Sequence, residues 1–369
     1  MQEPLHDRNL ESLHRLTSPA ALRAELPVTE AVGSLVLTAR DGVRDVLHGR
    51  DPDRLVLVVG PCSLHDRETS LAYAEKLRRA ADRFPELLII MRTYFEKPRT
   101  TIGWKGMISD PHLDGSGDVE QGLRSARSLL LEIGVMGLPC ASEALDPVIP
   151  QFLADLLSWV AIGARTTESQ THREMTSGLS MPVGFKNGTE GDLQVALDAM
   201  VSASHPHHFL GIDPDGSVAV VRTKGNPDRH VVLRGGRSGP NYSPEHVAEA
   251  ARKMKEQGIA RGVMVDCSHD NSGKDPANQG AVFRSVLEQM RDGQTGLMGM
   301  MLESHLREGK QDWQASPRAF GVSITDGCIG WDETESLLEE AAKAMRAIRS
   351  EPSPVPLRPV SSERGTTAA

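Results

Sequence analysis

Short apolar runs alternate with longer amphipathic segments along most of this chain, from about residue 54 to residue 349. The runs are continuous in apolar residues, which is typical of strands that are buried on both faces of a parallel sheet. The segments between them repeat apolar residues at helical spacing, as Leu71, Ala74, Leu77, Ala81 and Phe84 do after the first run. Eight runs predict strands, at residues 55–60, 87–94, 137–142, 159–164, 182–186, 230–233, 262–265 and 296–302.

Eight strands that alternate with helices predict an α/β protein, because such strands run parallel and are joined by right-handed crossovers. This number of strands favours closure into a (β/α)8 TIM barrel. The alternative is an open doubly wound sheet, which would carry a glycine-rich phosphate fingerprint after its first strand. Gly60-Pro61-Cys62-Ser63 is not such a fingerprint. We therefore predict a catalytic barrel over residues 51–350.

Three segments fall outside the alternation. Residues 1–50 contain short helical stretches, and we interpret them as an arm that packs on the barrel or on a neighbouring subunit. Residues 207–223 predict a β-hairpin, turning at Asp213-Pro214-Asp215-Gly216 and inserted between barrel strands 5 and 6. Residues 351–369 are rich in Pro, Ser and Thr, which predicts a disordered tail.

Composition excludes several classes of partner. The formal net charge of −9 and the 4% of aromatic residues give no reason to expect nucleic acid or an anionic membrane. No apolar run is long enough to span a bilayer, and no signal-like stretch follows the first residues. The four cysteines are scattered without CxxC spacing, so we expect reduced thiols and a cytoplasmic protein.

Barrel enzymes place their chemistry where the strands run out into the following loops. In this chain, each predicted strand is followed by a group that can bind a metal, bind an anion or transfer a proton. About a quarter of the residues in an average protein are charged, so a few such groups would be expected by chance. All eight strands have one, which predicts a catalytic rim. These residues are Cys62, Arg92, Glu143, Arg165, Lys186, Arg234, His269 and Glu303.

Many residues of this rim and its loops are basic, although the chain as a whole is acidic. A lone arginine is usually solvated or paired, but apolar strands carry these residues to one end of the barrel. Such a cluster favours phosphate or carboxylate ligands. We expect one phosphate near Arg165, Lys186 and Arg234. We expect a second near residues 96–100, in a long loop that is typical of an active-site lid. The basic residues are Arg92, Lys97, Arg99, Lys105, Arg165, Lys186 and Arg234.

Cys62, His269, Glu303 and Asp326 are candidate metal ligands. Each alone is ambiguous, because a buried cysteine is usually a small apolar residue and a buried histidine often belongs to the core. Together they supply one thiolate, one imidazole and two carboxylates. That set suits Mn2+, Fe2+, Co2+ or Zn2+ better than Mg2+.

These residues stand in strings that resemble the type I 3-deoxy-D-arabino-heptulosonate 7-phosphate (DAHP) synthases, the enzymes that open the shikimate pathway. The resemblance runs from about residue 28 to residue 349, with the strings in order and similarly spaced. The matching strings are Gly60-Pro61-Cys62-Ser63, residues 91–101, Gly103-Trp104-Lys105-Gly106, residues 161–170, residues 184–189, Leu233-Arg234-Gly235-Gly236, residues 268–272, Glu303-Ser304-His305 and Ser323-Ile324-Thr325-Asp326.

The resemblance implies a metal-dependent transferase that condenses phosphoenolpyruvate with erythrose 4-phosphate and releases phosphate, with Cys62, His269, Glu303 and Asp326 as metal ligands. It implies a role for each basic residue. Phosphoenolpyruvate would be held at its phosphate by Arg165, Lys186 and Arg234, and at its carboxylate by Arg92 and Lys97. The sugar phosphate would be held by Arg99 and Thr100. Lys97 is a candidate proton donor to the new alkoxide, and Glu143 is a candidate to hold the water.

The resemblance also implies an aromatic amino acid effector, with tyrosine favoured, and we expect a homodimer or a homotetramer. The effector site would involve the arm and the hairpin, and its residues would be Pro150, Gln151, Leu179, Ser180, Phe209 and Val221. One departure stands out, because the family often has alanine where this chain has Asp270. We expect this extra carboxylate to face outward.

Two rival interpretations remain. The first is a related enzyme that condenses phosphoenolpyruvate with another aldose phosphate in a specialised pathway. The Lys97-Pro98-Arg99-Thr100 string argues against it, because it resembles the contact for erythrose 4-phosphate. The second is a non-catalytic sensor of aromatic amino acids or phosphosugars. Such a sensor would be marked by loss of Lys97 or of a metal ligand, and this chain retains them all.

Overall fold

A computed structural model describes residues 5–99 and 101–350 of the chain. The described strands are β1 (Leu55–Gly60), β2 (Leu87–Arg92), β3 (Cys140–Glu143), β4 (Leu157–Ile162), β5 (Val183–Lys186), β6 (His208–Ile212), β7 (Val218–Arg222), β8 (Arg229–Leu233), β9 (Val263–Asp266) and β10 (Leu297–Glu303). Eight of these strands are parallel and close into a barrel in the order β1-β10-β9-β8-β5-β4-β3-β2, which confirms the predicted (β/α)8 barrel.

A helix follows each barrel strand, and two further helices precede the barrel. None of the described helices is long and apolar enough to cross a membrane. The helices are α1 (Pro19–Glu25), α2 (Glu30–Leu47), α3 (Arg67–Arg83), α4 (Val119–Val135), α5 (Pro150–Leu153), α6 (Gln170–Thr176), α7 (Gln194–Ala203), α8 (Pro244–Glu256), α9 (Gln279–Arg291) and α10 (Trp331–Ser350).

The barrel interior is filled by side chains, as the continuous apolar runs predicted. All residues of β1 are buried, and β1 pairs with β2 on one side and β10 on the other. Near the middle of the barrel, Trp159 Nε1 donates to His230 Nε2 at 2.8 Å. Gly184 faces both rings, and a Cβ atom there would lie 2.5 Å from Trp159. Glycine is therefore required where two large rings share the barrel centre.

The third strand begins later than the prediction of 137–142, at Cys140. Gly137 has a φ of +82° and ends the turn that follows α4, so it cannot belong to the strand. The second strand is also shorter than predicted, because it ends at Arg92 and leaves Tyr94 in the loop. The predicted tail, residues 351–369, lies outside the described residues.

The N-terminal segment packs on the barrel body. Arg40 on α2 donates to the carbonyl oxygen of Leu157 at 2.9 Å, where β4 begins. Arg44, one turn further, pairs with Asp228 at 2.6 Å, just before β8. Helix α2 therefore lies against the end of the barrel where strands start, which is opposite to the end that carries active sites in this fold.

The hairpin of β6 and β7 lies between the fifth and sixth barrel strands, as predicted. Phe209 and Val221 pair directly across it, and both are half-buried. Their neighbours on the other face, Leu210 and Val220, are 77% and 64% exposed. The alternation of strand side chains therefore gives the hairpin one covered apolar face and one open apolar face.

Candidate active site

The carboxyl ends of the barrel strands meet at one mouth, and five barrel strands end directly on a charged residue. Arg92, Glu143, Lys186, Asp266 and Glu303 are the last residues of β2, β3, β5, β9 and β10. Because the strands are parallel and in register, with Gly60 beside Glu303, these side chains lie at the same end of the barrel. The apolar strands thus place charged side chains at the carboxyl end of the barrel.

Three of the four candidate metal ligands lie together. The ligand atoms of Cys62, Glu303 and Asp326 are all within 4.8 Å of one another. The thiol of Cys62 donates to Asp326 at 3.3 Å. Burial and the charge of Glu303 raise the pKa of Cys62 to about 11, so the free thiol holds its proton at neutral pH. A divalent cation would displace that proton, because metal-bound thiols ionise.

His269, the fourth candidate, approaches the group from one side without joining it. Its Nε2 lies 3.9 Å from Glu303 Oε1, and its Nδ1 lies 2.9 Å from Asp266 Oδ2. His269 has a φ of +57°, a rare backbone conformation for a residue other than glycine. An outer carboxylate at one ring nitrogen is typical of histidines that bind a metal through the other.

Arg92 connects this group to the β1 loop. Its Nη2 donates to Glu303 at 2.8 Å and to the carbonyl oxygen of Cys62 at 3.2 Å, and its Nε donates to Pro61 O at 3.1 Å. The guanidinium stacks on Tyr94, with Cζ 3.5 Å from the ring centroid. A buried planar cation held this way keeps a fixed orientation.

Lys97 lies against the thiol. Its Nζ donates to Cys62 Sγ at 2.9 Å and to Cys62 O at 3.2 Å, and it lies 3.8 Å from Asp326. Burial alone would lower the pKa of Lys97, but Cys62 and Glu303 raise it above its ordinary value. The amine is therefore a cation at neutral pH and can donate a proton.

A second set of paired charges occupies the opposite side of the mouth. Lys186 Nζ lies 2.7 Å from Asp266 Oδ2, and both side chains are buried. Burial raises the pKa of Asp266, but His269 and Lys186 lower it by more, so it stays well below its ordinary value. Asp266 thus contacts both Lys186, a predicted phosphate contact, and His269, a predicted metal ligand.

Asp270 does not face outward, and that expectation was wrong. Its carboxylate lies 2.5 Å from Arg234 Nη1, and only 19% of its side chain is exposed. The short turn at His269–Ser272 carries the carboxylate towards the mouth, because the main-chain N–H of Asn271 bonds to the carbonyl oxygen of Arg234. The cation predicted to hold a phosphate is therefore already paired.

The remaining predicted substrate residues lie around the mouth. A Cβ atom on Gly163 would lie 2.3 Å from Glu143 Oε1, so this glycine leaves room for the carboxylate. Arg165 is exposed on the loop after β4. Arg99 donates from Nε to the carbonyl oxygen of Trp104 at 2.7 Å. Thr100 lies outside the described residues.

Sequence reasoning missed Asp266, Tyr94 and Glu96. Asp266 is the last residue of β9, so a stricter use of strand ends would have found it. Tyr94 left no signal, because a tyrosine beside an apolar strand usually belongs to the core. Glu96 is buried, and burial with the charges of Asp146 and Glu143 raises its pKa to about 8.

Helix α1 contacts both the hairpin turn and α5, where two of the predicted effector residues lie. Arg23 of α1 donates to the carbonyl oxygen of Gln151 at 3.4 Å, beside Pro150 at the start of α5. Ala20, also in α1, donates from its main-chain N–H to Pro214 O in the hairpin turn at 2.8 Å. Helix α1 therefore connects the hairpin turn to α5.

The other part of this region is the loop between α6 and β5. Arg44 donates to Ser180 O at 2.7 Å, and the amide of Asn226 donates to Leu179 O at 3.3 Å. The hydroxyls of Ser177 and Thr223 lie 2.6 Å apart and join the end of α6 to the hairpin base.

A closed barrel whose mouth combines a thiol–carboxylate group with paired cations defines a barrel enzyme suited to anionic small molecules. A model of the DAHP synthetase I family matches residues 25–339. The chain belongs to that family, so the predicted resemblance and the prediction of an enzyme are confirmed.

Curated relatives and a solved structure agree. The chain is 52% identical over 343 residues to the Tyr-sensitive phospho-2-dehydro-3-deoxyheptonate aldolase of Escherichia coli K12, with 92% of this chain and 96% of that relative covered. It is 49% identical to the Phe-sensitive enzyme of the same organism, with 93% and 98% covered. The structure of phospho-2-dehydro-3-deoxyheptonate aldolase from Francisella tularensis SCHU S4 matches at 47% identity and a TM-score of 0.90, covering 92% of this chain and 100% of that one.

Proposed function

We propose that this chain condenses phosphoenolpyruvate with erythrose 4-phosphate and water to form DAHP and phosphate, at the start of the shikimate pathway. The observation that carries the proposal is the contact of Lys97 with the thiol of Cys62, inside a group that also contains Glu303 and Asp326. A proton donor and a metal-binding group at one point suit an aldehyde that must be polarised and then protonated.

Each anionic group of the substrates is assigned to cations on a different part of the mouth. Phosphoenolpyruvate would be held at its phosphate by Lys186, Arg234 and Arg165. Its carboxylate would be held by Arg92 and Lys97, and the sugar phosphate by Arg99 and Thr100. Cations on rigid strands fix the phosphoenolpyruvate with C3 facing the aldehyde, which converts a bimolecular encounter into an oriented one.

Cys62, His269, Glu303 and Asp326 would hold a divalent metal, and Mn2+, Fe2+, Co2+ or Zn2+ suits these ligands best. The three ligand atoms that already lie within 4.8 Å of one another fit such an ion. When bound, the metal supplies Lewis acidity that polarises the aldehyde oxygen.

The bonds then change in a defined order. C3 of phosphoenolpyruvate bonds to the aldehyde carbon, and Lys97 gives its proton to the oxygen that becomes an alkoxide. Water held by Glu143 adds to the positive C2 and releases one proton, which replaces the proton that Lys97 gave up. Phosphate leaves when the C2–O bond breaks and takes the second proton of that water, and the C2 ketone forms.

The test is phosphate release from phosphoenolpyruvate and erythrose 4-phosphate, before and after EDTA treatment. We expect release that EDTA abolishes and an added divalent metal restores. Lys97→Met should lower turnover about 100-fold or more, whereas Lys343→Met, on an exposed face of α10, serves as the matched control. Absence of release by the metal-loaded protein would refute the proposed function.

We infer that an aromatic amino acid inhibits the enzyme, with tyrosine favoured. The support is the surroundings of Pro150, Gln151, Leu179 and Ser180, together with relatives that are Tyr-sensitive or Phe-sensitive. Initial rates should fall in millimolar tyrosine more than in phenylalanine or tryptophan.

A pair of hairpin variants tests where the effector binds. Phe209→Ala should weaken inhibition because it opens the covered face beside Val221, and Leu210→Ala should not, because that side chain points to the other face. Unchanged rates of the parent enzyme in all three amino acids would remove this part of the proposal.

We also infer a homodimer or a homotetramer. The open face of the hairpin exposes Leu210, Val218 and Val220, an apolar surface that a second copy would cover. Light scattering measures the mass directly, and a monomer at micromolar concentration would contradict the inference.

A further inference from the structure

Tyr94 is buried at the mouth of the barrel and has no role in the proposed reaction. It follows the last residue of β2 by two positions and is 1% exposed. Its carbonyl oxygen accepts from the main-chain N–H of Leu64 at 2.9 Å, and Arg92 stacks on its ring. Both the main chain and the ring are therefore fixed.

The hydroxyl of Tyr94 is buried and lacks a hydrogen-bond partner among the described residues. Buried tyrosine hydroxyls usually find a partner, since a buried unpaired polar group destabilises the fold. Tyr73, the other fully buried tyrosine, follows that rule, because its hydroxyl donates to Ser304 Oγ at 2.9 Å.

The charges that act on the Tyr94 hydroxyl are those of the mouth. Burial raises the pKa of Tyr94 above its ordinary value in spite of the opposing effect of Arg92, and nearby carboxylates raise it further. The phenol is therefore neutral at the pH of the reaction and acts as a hydrogen-bond donor. The carboxylates concerned belong to Glu143, Asp266 and Glu303.

We propose that Tyr94 is a further substrate-binding residue, whose hydroxyl donates a hydrogen bond to the carboxylate of phosphoenolpyruvate bound at Arg92. This inference rests on the proposed function. Arg92 already donates from Nε and Nη2 to protein oxygens, so it presents the remainder of its guanidinium to the substrate. A carboxylate held by Arg92 and Lys97 has lone pairs left to accept another hydrogen bond, and a neutral phenol donates one without adding charge.

The test compares Tyr94→Phe with Tyr73→Phe. Tyr94→Phe keeps the ring beneath Arg92 and removes only the hydroxyl. We expect its KM for phosphoenolpyruvate to rise about fivefold to tenfold, with kcat within about twofold of the parent. The dissociation constant for phosphoenolpyruvate, measured by calorimetry with the metal-loaded protein, should rise by the same factor.

Thermal unfolding without substrate separates binding from folding. Tyr94→Phe leaves no new group unpaired, so its melting temperature should equal or exceed that of the parent. Tyr73→Phe removes a paired hydroxyl, so its melting temperature should fall while its KM stays unchanged.

Two outcomes would overturn the assignment of Tyr94. Unchanged KM and binding in Tyr94→Phe would mean that the hydroxyl does not contact the substrate. A fall in kcat with unchanged KM would place the hydroxyl in a later step and not in binding. Failure of the parent enzyme itself to bind and turn over phosphoenolpyruvate would instead refute the proposed function, and the Tyr94 inference with it.

Discussion

The barrel mouth has two halves that both pair cations with acidic groups but differ in what those acidic groups can bind. In the Cys62 half, formed by the ends of β1, β2 and β10, Arg92 and Lys97 contact Glu303, Cys62 and Asp326. In the Lys186 half, formed by the ends of β5, β8 and β9, Lys186 and Arg234 pair with Asp266 and Asp270. Both halves therefore hold two cations that carboxylates neutralise.

The difference lies in what the neutralising groups can still bind. The carboxylates and thiol of the Cys62 half form a ligand set, so a divalent metal would add positive charge there and favour an anion beside it. Asp266 and Asp270 belong to no such group of three among the described residues. A phosphate that binds Lys186 and Arg234 must share these cations with carboxylates that repel it.

The largest expected effect comes from breaking the Cys62 half. Cys62→Ser removes the thiolate ligand, so metal affinity and turnover should both fall more than about 100-fold. Metal titration by calorimetry and phosphate release measure the two losses. Cys140→Ala removes another buried thiol, one on β3, and should leave metal binding unchanged. Equal metal affinity in the parent and Cys62→Ser would exclude the thiol as a ligand.

Next in size is the loss of Lys186. Lys186→Met removes a charged contact to phosphate, so kcat/KM should fall about 30-fold to 100-fold. The substitution also removes the lysine partner of the buried Asp266 carboxylate. The free energy of unfolding should therefore fall by about 3 kcal/mol. Denaturant titration of the Lys186→Met, Asp266→Asn double variant should recover most of that stability. If stability stays low in the double variant, the ion pair is not the reason for the loss.

A smaller effect follows from neutralising Asp270, which competes for Arg234. Asp270→Asn should lower the KM for phosphoenolpyruvate about twofold to fivefold, because a partly exposed pair has modest strength. Glu190→Gln breaks a more exposed pair of the same type, with Arg237 at 2.8 Å, and is the control. A rise in KM would show that Asp270 positions Arg234 for the phosphate and does not compete with it.

The smallest expected effect is on stability and concerns Glu96, a buried carboxylate whose pKa is raised by burial. Because its folded pKa of about 8 lies above the ordinary 4.5, its contribution to stability is complete below pH 4.5 and is lost as the pH rises to about 8. Glu96→Gln should therefore be more stable than the parent at pH 9, by more than about 1 kcal/mol. Denaturant midpoints from pH 5 to pH 9 measure this, with the exposed variant Glu68→Gln as control. Parallel curves for Glu96→Gln and the parent would mean that Glu96 is ionised throughout.

Strand ends predicted more of the site residues than any other feature of the sequence. Where the prediction failed, the reason is physical. Arg92, Lys186 and Glu303 were found because a continuous apolar run stops at each of them. Asp266 was passed over in favour of His269, three residues later, although both line the mouth. The direction of Asp270 was wrong, because the turn that aims it depends on a hydrogen bond between Asn271 and Arg234, residues that only the fold brings together.

By itself, the sequence determined the eight strands, the inserted hairpin and the charged rim, because periodicity and strand ends are local properties of a chain. It also carried the strings that define the family. Only the tertiary structure decided which charges pair, since Arg92 and Glu303 meet through closure of the barrel across 211 positions of sequence. Burial decided the rest. It keeps the thiol of Cys62 protonated, because the surrounding side chains exclude water, and it encloses the hydroxyl of Tyr94, which has no hydrogen-bond partner among the described residues.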